Sequence, residues 1–394
     1  MKPLRIVLAM IEPPLPFGSA AGRWYYVLLK GLVERGHQVK AFATCSKAEE
    51  LAAARKLFPS PRYDLQLFPF PTRRSFVEKF ETVRKPSSYM FNSEFKRAFR
   101  EALEIPHDVV HLEQLWSGWL ALNHRMRSVL SIHFLLEIDL KGAKAKSPDE
   151  WKNRRLESMA ERRLLRRFRH FRACTARIGD AIQMRNREAK VTVVPFGFDV
   201  LRYPYRPDSW LPAAPVVTLI GMMSWTPNRT AAERLLVRLW PEIKRRVPDA
   251  KLRIVGWGAR SALAALGFET LADVDVLEDV PDAGPYFEES CVLLYAPEHS
   301  SGMKTKIQEA MAYGVPVVTT SEGVEGLLAR DGVHAGICDH DAGLIDRAVA
   351  MLTDTASRNR QRANARRLIE EVCDPDATVI STLAIYETIV RQNV

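Results

Sequence analysis

Residues 300–318 read Ser300-Ser301-Gly302-Met303-Lys304-Thr305-Lys306-Ile307-Gln308-Glu309-Ala310-Met311-Ala312-Tyr313-Gly314-Val315-Pro316-Val317-Val318. The order is a glycine-containing loop, a short helix, a glycine stop and an apolar strand. Such a loop leaves backbone N–H groups free at a helix N-terminus, where the peptide dipoles favour an anion. Lys304 and Lys306 fall in the first turn, where dipole logic alone would place acids. Cations there make sense if an anion docks on that turn. Glu309, one turn after Lys306, is placed to accept hydrogen bonds from ligand hydroxyls. A diphosphate joined to a ribose meets both requirements. A plainer reading stays open, in which the lysines are solvated and Glu309 pairs with one of them.

The chain around this stretch has 394 residues, enough for two domains of ordinary size. Its hydrophobic content of 47% and charged content of 26% are those of a globular protein rather than a disordered or fibrous one. No apolar run approaches the roughly 20 residues needed to cross a bilayer. The first ten residues are charged and then briefly apolar, but Glu12 and a proline cluster follow without a small-residue cleavage site. A first buried strand is therefore expected rather than a signal peptide. Cys45, Cys174, Cys291, Cys338 and Cys373 are far apart and form no C-x-x-C, which predicts reduced thiols and a cytoplasmic location.

The net charge of +10 is concentrated in segments 73–100 and 151–172, both in the N-terminal half. A basic face of this kind meets nucleic acid, an anionic membrane or a phosphorylated substrate, or is simply a solvated helix face. No zinc-finger spacing, RNP-type motif or stacking platform accompanies it, so no nucleic-acid partner is expected.

Strand-like apolar runs alternate with helical segments throughout, the pattern of parallel α/β sheets. In the first half, strands are expected over 5–10, 38–44, 108–113, 129–134, 171–176 and 190–195, with helices over 23–35 and 148–169. Residues 201–215 are rich in proline, tyrosine and aspartate with little periodicity, which places a domain boundary at 205/206. The second half repeats the plan, with strands over 216–220, 251–255, 291–296 and 315–319 and a helix over 228–246. A final helix over about 376–391 is expected to cross back onto the first domain. The fold class is thus α/β, with two doubly wound domains facing across a cleft. Ligands of such sheets bind beyond the carboxyl ends of the strands.

Several other residues lie where such sheets collect function. The turn from Pro13 to Arg23 holds Gly18 and Ser19 between small residues that let backbone approach a ligand closely, although it is neither a G-x-G-x-x-G fingerprint nor a P-loop. His133 falls at the carboxyl end of a strand and is suited to bind a sugar hydroxyl or move a proton near neutral pH; a structural histidine is the competing reading. His107 and His111 read as structural, and Glu113 as an acceptor-side group. The histidines show no H-E-x-x-H or comparable spacing, so no metal is expected. Gly221 to Asn228 form a second helix start after a strand, with Pro227 in the first turn. Gly256-Trp257-Gly258 ends the next strand and could wall a nucleotide base.

Taken together, these residues resemble the retaining, nucleotide-sugar-dependent glycosyltransferases of the GT-B fold, family 4 or group 1. Residues 302–318 are similar to that family's donor-binding block of loop, glutamate, Ala-Met-Ala, glycine and Pro-Val-Val. Support comes from residues 32–39, from Val194-Pro195-Phe196-Gly197-Phe198-Asp199 and from Ser224-Trp225-Thr226-Pro227-Asn228. The resemblance implies that the second domain binds a UDP- or GDP-sugar, with Glu309 on the ribose hydroxyls. Ser301, Gly302, Met303, Lys304 and Lys306, with Asn228 and Gly256, would line the diphosphate and sugar, and Gly18 and Ser19 would approach the phosphate. His133 would touch the donor sugar near the reacting carbon, which makes His133, Glu309 and Lys306 the expected catalytic set. No cofactor is implied, because the nucleotide sugar is a substrate.

The family's motif often carries two glutamates separated by seven residues. Here the first position is Ser301, which puts recognition of the sugar's hydroxyls in question. The Arg/Lys pair that commonly clamps the diphosphate is also not evident after Gly221, where Asn228 stands in that region and Lys304 and Lys306 are expected to compensate. The implied activity is metal-independent transfer of a sugar, with retention, to a glycan, lipid-linked or small-molecule acceptor in polysaccharide or glycolipid assembly. The basic segments would give peripheral contact with the inner membrane face. A noncatalytic nucleotide-binding protein and a sugar-nucleotide 2-epimerase of the same fold are the alternatives.

Overall fold

Among the described residues every strand pairing is parallel, and the strands fall into two separate sheets. The structure, a computed structural model, describes residues 2–45, 48–56, 63–71, 81–143, 145, 147–206, 214–265, 267–268, 273–278, 280 and 282–393. Arg73, Arg74 and Lys79 of the first basic segment, and residues 207–213 of the expected seam, lie outside the described residues.

The first sheet contains β1 (Arg5–Met10), β2 (Gln38–Cys45), β3 (Tyr63–Pro69), β4 (Val109–Glu113), β5 (Ser128–Ile132), β6 (His170–Ala173) and β7 (Lys190–Val193). Its order is β3-β2-β1-β4-β5-β6-β7. The second contains β8 (Val216–Ile220), β9 (Lys251–Val255), β10 (Val274–Leu277), β11 (Val292–Tyr295), β12 (Val317–Thr319) and β13 (Gly336–Ile337), in the order β10-β9-β8-β11-β12-β13. The central strands β4, β5, β8 and β11 are buried at every residue. Helices cover both faces of such a sheet, so these strands show no inside–outside alternation, and they bury His111, Glu113, Ser128, Ser131 and Thr218 among apolar neighbours. In each sheet the strand order reverses once, between β1 and β4 and between β8 and β11. Those reversals open a crevice at the carboxyl ends of the strands.

The chain groups into two units. The first is Met1–Glu137, Gly142–Phe198 and Pro375–Val394; the second is Ile138–Lys141 with Asp199–Asp374. The division falls between Phe198 and Asp199, a few residues before the expected boundary at 205/206, because the Pro-Tyr-Asp seam that drew attention in the sequence belongs to the start of the second unit. The final helix Pro375–Gln392 groups with the first unit and packs on helix Ala20–Glu34 and over β4, β5 and β6.

Local chemistry explains where elements begin and end. Helix Ala20–Glu34 starts earlier than the small residues suggested, because the Ser19 hydroxyl caps it by accepting from the Gly22 N–H at 3.0 Å. The single helix expected over 228–246 is instead α-helical over Thr226–Arg234, widened to a π turn over Leu235–Leu239, and α-helical again over Trp240–Arg246. Pro241 has no N–H to continue the ladder, which accounts for the widened turn before it. Strands β3, β10 and β13 had no counterpart among the expected elements. They are short or only half-buried edge strands, and their residues carry no clear apolar pattern. Among the described residues no helix is long and apolar enough to cross a membrane, and all five cysteines are free thiols.

Candidate functional site

The loop that follows β11 is where the second unit gathers charged and polar side chains. Gly302 turns it in the left-handed region at φ +77°, delivering the chain into helix Thr305–Tyr313. Lys304 is the N-cap, yet its side chain makes no cap hydrogen bond and the first turn holds no acid. Gly314, at φ +74°, ends the helix. The back of the helix is fixed where the Gln308 amide donates to the Cys373 thiol at 3.2 Å.

Lys306 is half-buried. Its ammonium donates to Asn228 Oδ1 and sits 4.1 Å from the centre of the Tyr295 ring. Asn228 is oriented in turn by donating to the Met222 carbonyl at 2.8 Å. Burial lowers the Lys306 ammonium to about 7; the nearby Lys304 charge adds to the effect and Glu309 opposes it. Among the described residues no carboxylate lies within ion-pair distance of Lys306. Two glycines make this geometry possible. A Cβ on Gly221 would come within 2.5 Å of the Lys306 Nζ, and one on Gly256 within 2.0 Å of the Gly221 carbonyl oxygen. Gly256 therefore serves close backbone approach between strand ends; a wall for a base is not needed to explain it.

The two lysines of the motif have different fates. Lys304 is 7% exposed and its ammonium turns back into its own loop, donating to the Ser300 and Gly302 carbonyls, with Glu325 at 3.9 Å. Two of its donors thus hold the shape of the loop. Met303 and Glu309 are also buried, Glu309 on the second turn of the helix. Ser300 N donates to the Glu322 carboxylate at 3.1 Å. Ser301 donates to Asp139 Oδ1 from both its N–H and its hydroxyl, the latter at 2.8 Å.

In the first unit the carboxyl ends of β4 and β5 carry a second cluster. Glu113 is fully buried. It accepts from Trp24 Nε1 at 2.9 Å and from His133 Nε2 at 2.5 Å, and His111 Nε2 lies 2.9 Å from its other side. His111 Nδ1 bonds to the Tyr386 hydroxyl of the final helix. Burial by itself pushes the Glu113 carboxyl up, but the two facing imidazoles outweigh it and hold it well below the usual range. Burial lowers His133, with Glu113 opposing. A neutral His133 that donates from Nε2 to a carboxylate presents Nδ1 as an acceptor. Phe196 packs edge-on to this ring, and the buried Arg172 guanidinium lies 4.0 Å from the Trp24 ring centre while donating to Ser131 and the Pro195 carbonyl.

The Glu113 oxygens thus face Trp24, His133 and His111 inside the first unit. The Ser19 hydroxyl is likewise spent, capping its helix and donating to Glu12. Gly18, at φ +81° with open space where a Cβ would stand, is required by its backbone conformation.

The structure thus brings Lys306, Asn228 and Gly221 together, and sets Ser301 against Asp139. Sequence reasoning missed Asp139, Tyr295, Trp24 and Arg172. None lies in a motif, and only the burial of a charge or an aromatic partner marks them.

Comparison with known proteins follows the same division of the chain. The model of the group 1 glycosyl transferases matches residues 214–354, and that of the glycosyl transferase 4-like domain matches residues 21–197. No curated sequence matches the chain. Among solved structures, sucrose-phosphate synthase from Thermosynechococcus elongatus aligns with a TM-score of 0.72 at 15% identity, over 99% of this chain and 100% of that one. Anabaena HepE, solved in complex with UDP and glucose, aligns at 0.66 and 15% identity over 98% and 100%. WaaG, a glycosyltransferase involved in lipopolysaccharide biosynthesis, aligns at 0.64 and 14% identity over 96% and 99%. At such identities the likeness is one of fold.

Proposed function

Since the chain belongs to the group 1 glycosyl transferases and has the GT-B fold, we propose that it moves a sugar from a UDP- or GDP-linked donor to a hydroxyl acceptor with retention at the anomeric carbon. The observation that carries the donor assignment is Lys306, a half-buried cation with no anionic partner among the described residues, at an uncapped helix start with Glu309 one turn further on. A diphosphate would complete the ion pair, and ribose hydroxyls would reach Glu309. Solved HepE holds UDP and glucose, which supports the same donor chemistry here.

During transfer, negative charge grows on the leaving diphosphate. Lys306 and the amides of the helix start stabilise it where it develops, and stabilisation of this kind usually contributes most to the rate. They supply the positive charge that a divalent cation would otherwise bring, so the proposed reaction is metal-independent. No side chain is placed as a nucleophile in this scheme. The departing phosphate takes the acceptor proton as the new bond forms on the same face of the sugar, which retains configuration. The family resemblance gives His133 the role of touching the sugar, with Nδ1 as acceptor and Glu113 fixing the ring, and gives Gly18 the phosphate. In the same reading the acceptor is a glycan or glycolipid precursor, and the protein works in the cytoplasm in peripheral contact with an anionic membrane.

A thermal-shift panel of nucleoside diphosphates tests the donor assignment, because a ligand that binds the native state raises its apparent stability. UDP or GDP should raise the melting temperature most. Lys306→Ala and Glu309→Ala should each weaken that nucleotide by about tenfold or more, as expected for losing a charged hydrogen-bond partner. Unchanged affinity in both variants would remove the assignment.

A further inference from the structure

The polar cluster at the carboxyl ends of β4 and β5 extends into the final helix. Trp24, His111, Glu113, Arg172 and Tyr386 are each exposed by 1% or less, whereas His133 keeps 9% of its surface, and all six belong to the first unit. His133 Nδ1 has no hydrogen-bond partner among the described residues. Of the six, His133 is the one through which a buried charged network reaches the surface, just past the end of β5, where ligands of such sheets bind.

Hydrogen-bond roles fix where the protons lie. Glu113, held ionised, only accepts. Trp24 Nε1 donates to it at 2.9 Å, and His133 Nε2, 2.5 Å away, carries a proton. His111 Nε2 lies 2.9 Å from Glu113 Oε1, misaligned for a hydrogen bond. A lone pair there would face a carboxylate oxygen, so this nitrogen carries a proton too. The Nδ1 of His111 is then an acceptor, and the Tyr386 hydroxyl donates to it. A cationic His111 would make Nδ1 a donor and leave the buried Tyr386 proton without an acceptor. With both rings neutral, the charges of Glu113 and Arg172 attract and balance each other. Burial keeps His133 neutral, with Glu113 opposing and Arg172 and His111 adding to the effect. Its other neighbours are the Tyr25 ring at 6.0 Å and the Cys174 thiol, which donates to the His133 carbonyl at 3.2 Å.

We propose that Tyr386 is a positioning residue for His133: through His111 and Glu113 it fixes the His133 proton on Nε2, so that Nδ1 meets the substrate as an acceptor. Such a nitrogen takes a hydrogen bond from a sugar hydroxyl and repels a phosphate oxygen. The proposal rests on the reading of His133 as a sugar contact, and it gives the final helix a part in that contact.

The experiment is ring-nitrogen NMR of protein carrying isotope-labelled histidine, at about pH 8, above the ordinary histidine range. In the wild type, His111 and His133 should each show a protonated Nε2 and a bare Nδ1. Tyr386→Phe keeps the ring and removes the donor that holds His111 in that tautomer. With one N–H fewer on its oxygens, Glu113 takes a proton more readily. The His133 Nε2 proton then passes to Glu113 in part of the population, while Nδ1 takes one from solvent. Proton character should therefore appear at His133 Nδ1 and grow as pH falls. Glu113→Gln should abolish the preference for Nε2, and adding Tyr386→Phe to it should change His133 no further. Ile389→Val, a packing loss on the same helix, should leave both rings as in the wild type. UDP-glucose or GDP-mannose, whichever the wild type binds, should bind Tyr386→Phe about three- to tenfold more weakly, the worth of one neutral hydrogen bond. The matching nucleoside diphosphate should stay within about twofold.

A wild-type His133 protonated at Nδ1 would overturn the proposal without any variant. So would His133 signals unchanged in Tyr386→Phe, or changed equally in Ile389→Val. The expected NMR changes with unaltered sugar-nucleotide affinity would instead overturn the reading of His133 as a sugar contact, and the role of Tyr386 in it.

Discussion

At the scale of single residues, two lysines from one motif show what spacing conveys and what it does not. Lys304 and Lys306 are equivalent on paper, since both flank a helix start after Gly302. In the fold Lys304 closes its own loop, while Lys306 faces Asn228 and the Tyr295 ring. Glu309 and Lys306 were legible because helix periodicity fixes them relative to Gly302. The Asp139–Ser301 contact was not, because the two residues are 162 positions apart and meet only in the fold. The lowered Lys306 ammonium, at about 7 instead of 10.5, makes donor binding depend on pH in a definite direction. Below about pH 7 the ammonium is charged before and after an anion binds, so affinity is level. Above it the free protein carries neutral Lys306, which must take a proton from solvent to pair with the anion. Binding then takes up a proton, and affinity falls by as much as about tenfold per pH unit until the bound-state value is reached. UDP-glucose is the right probe, because the charge on its diphosphate is constant in this range. Titration in buffers of different ionisation heat should show proton uptake near pH 8. Lys306→Met should bind weakly with no such uptake, and a flat wild-type profile from about pH 6 to 9 would contradict the assignment.

At the scale of elements, the sequence was most legible where burial is complete. The runs that became β1, β8 and β11 are mostly apolar, β4 and β5 carry apolar residues around His111, Glu113, Ser128 and Ser131, and the glycine stops at Gly36 and Gly314 mark helix ends through left-handed backbone. Edge strands β3 and β10 were invisible because half-burial asks little of their side chains. Nor could composition reveal which helix packs against which. The fit of the final helix on the first depends on Gly31, where a Cβ would come within 2.6 Å and 2.9 Å of the two Val379 methyls. A glycine inside a helix costs about 1 kcal/mol relative to alanine, so Gly31→Ala would stabilise an isolated helix. Overpacking a filled contact costs about 1–3 kcal/mol, and a branched valine next to its own backbone has little room to yield. The packing cost should win, and Gly31→Ala should lower stability by about 1–2 kcal/mol in urea unfolding. The double variant Gly31→Ala with Val379→Ala should lose less than the two single losses summed. A higher urea midpoint for Gly31→Ala alone would show that the helices separate freely here.

At the scale of the whole molecule, the two units repeat one plan, a parallel sheet whose order reverses once beside the functional cluster, and the alternation of strands and helices disclosed that plan from the sequence. The surplus of positive charge is less uniform than the sequence suggested. Of the basic residues in 151–172, Arg172 is fully buried against Trp24 and contributes nothing to an external face. Helix Pro148–Arg167 exposes Lys152, Arg155, Arg162, Arg163, Arg166 and Arg167, together with Trp151 at 57% and Met159 at 60%. In the first segment, Lys85 and Lys96 are ion-paired with Glu81, while Arg84, Arg97 and Arg100 are exposed. Phosphate backbones and anionic lipids both attract such charge, but an exposed tryptophan and methionine beside it suit the interface of a bilayer. Each basic side chain near an anionic surface is worth about 1 kcal/mol, so several together suffice for reversible binding that salt weakens. Vesicles of phosphatidylglycerol and phosphatidylethanolamine should therefore sediment the wild type at low salt and release it at about 0.5 M salt, beyond the reach of screened charges. Lys152→Gln, Arg162→Gln and Arg166→Gln combined should lower the partition coefficient by about tenfold or more while leaving UDP-glucose affinity unchanged, because none of the three touches the donor cluster. Equal binding of the triple variant, or stronger retention by single-stranded RNA than by the vesicles, would show that this face serves something other than a membrane.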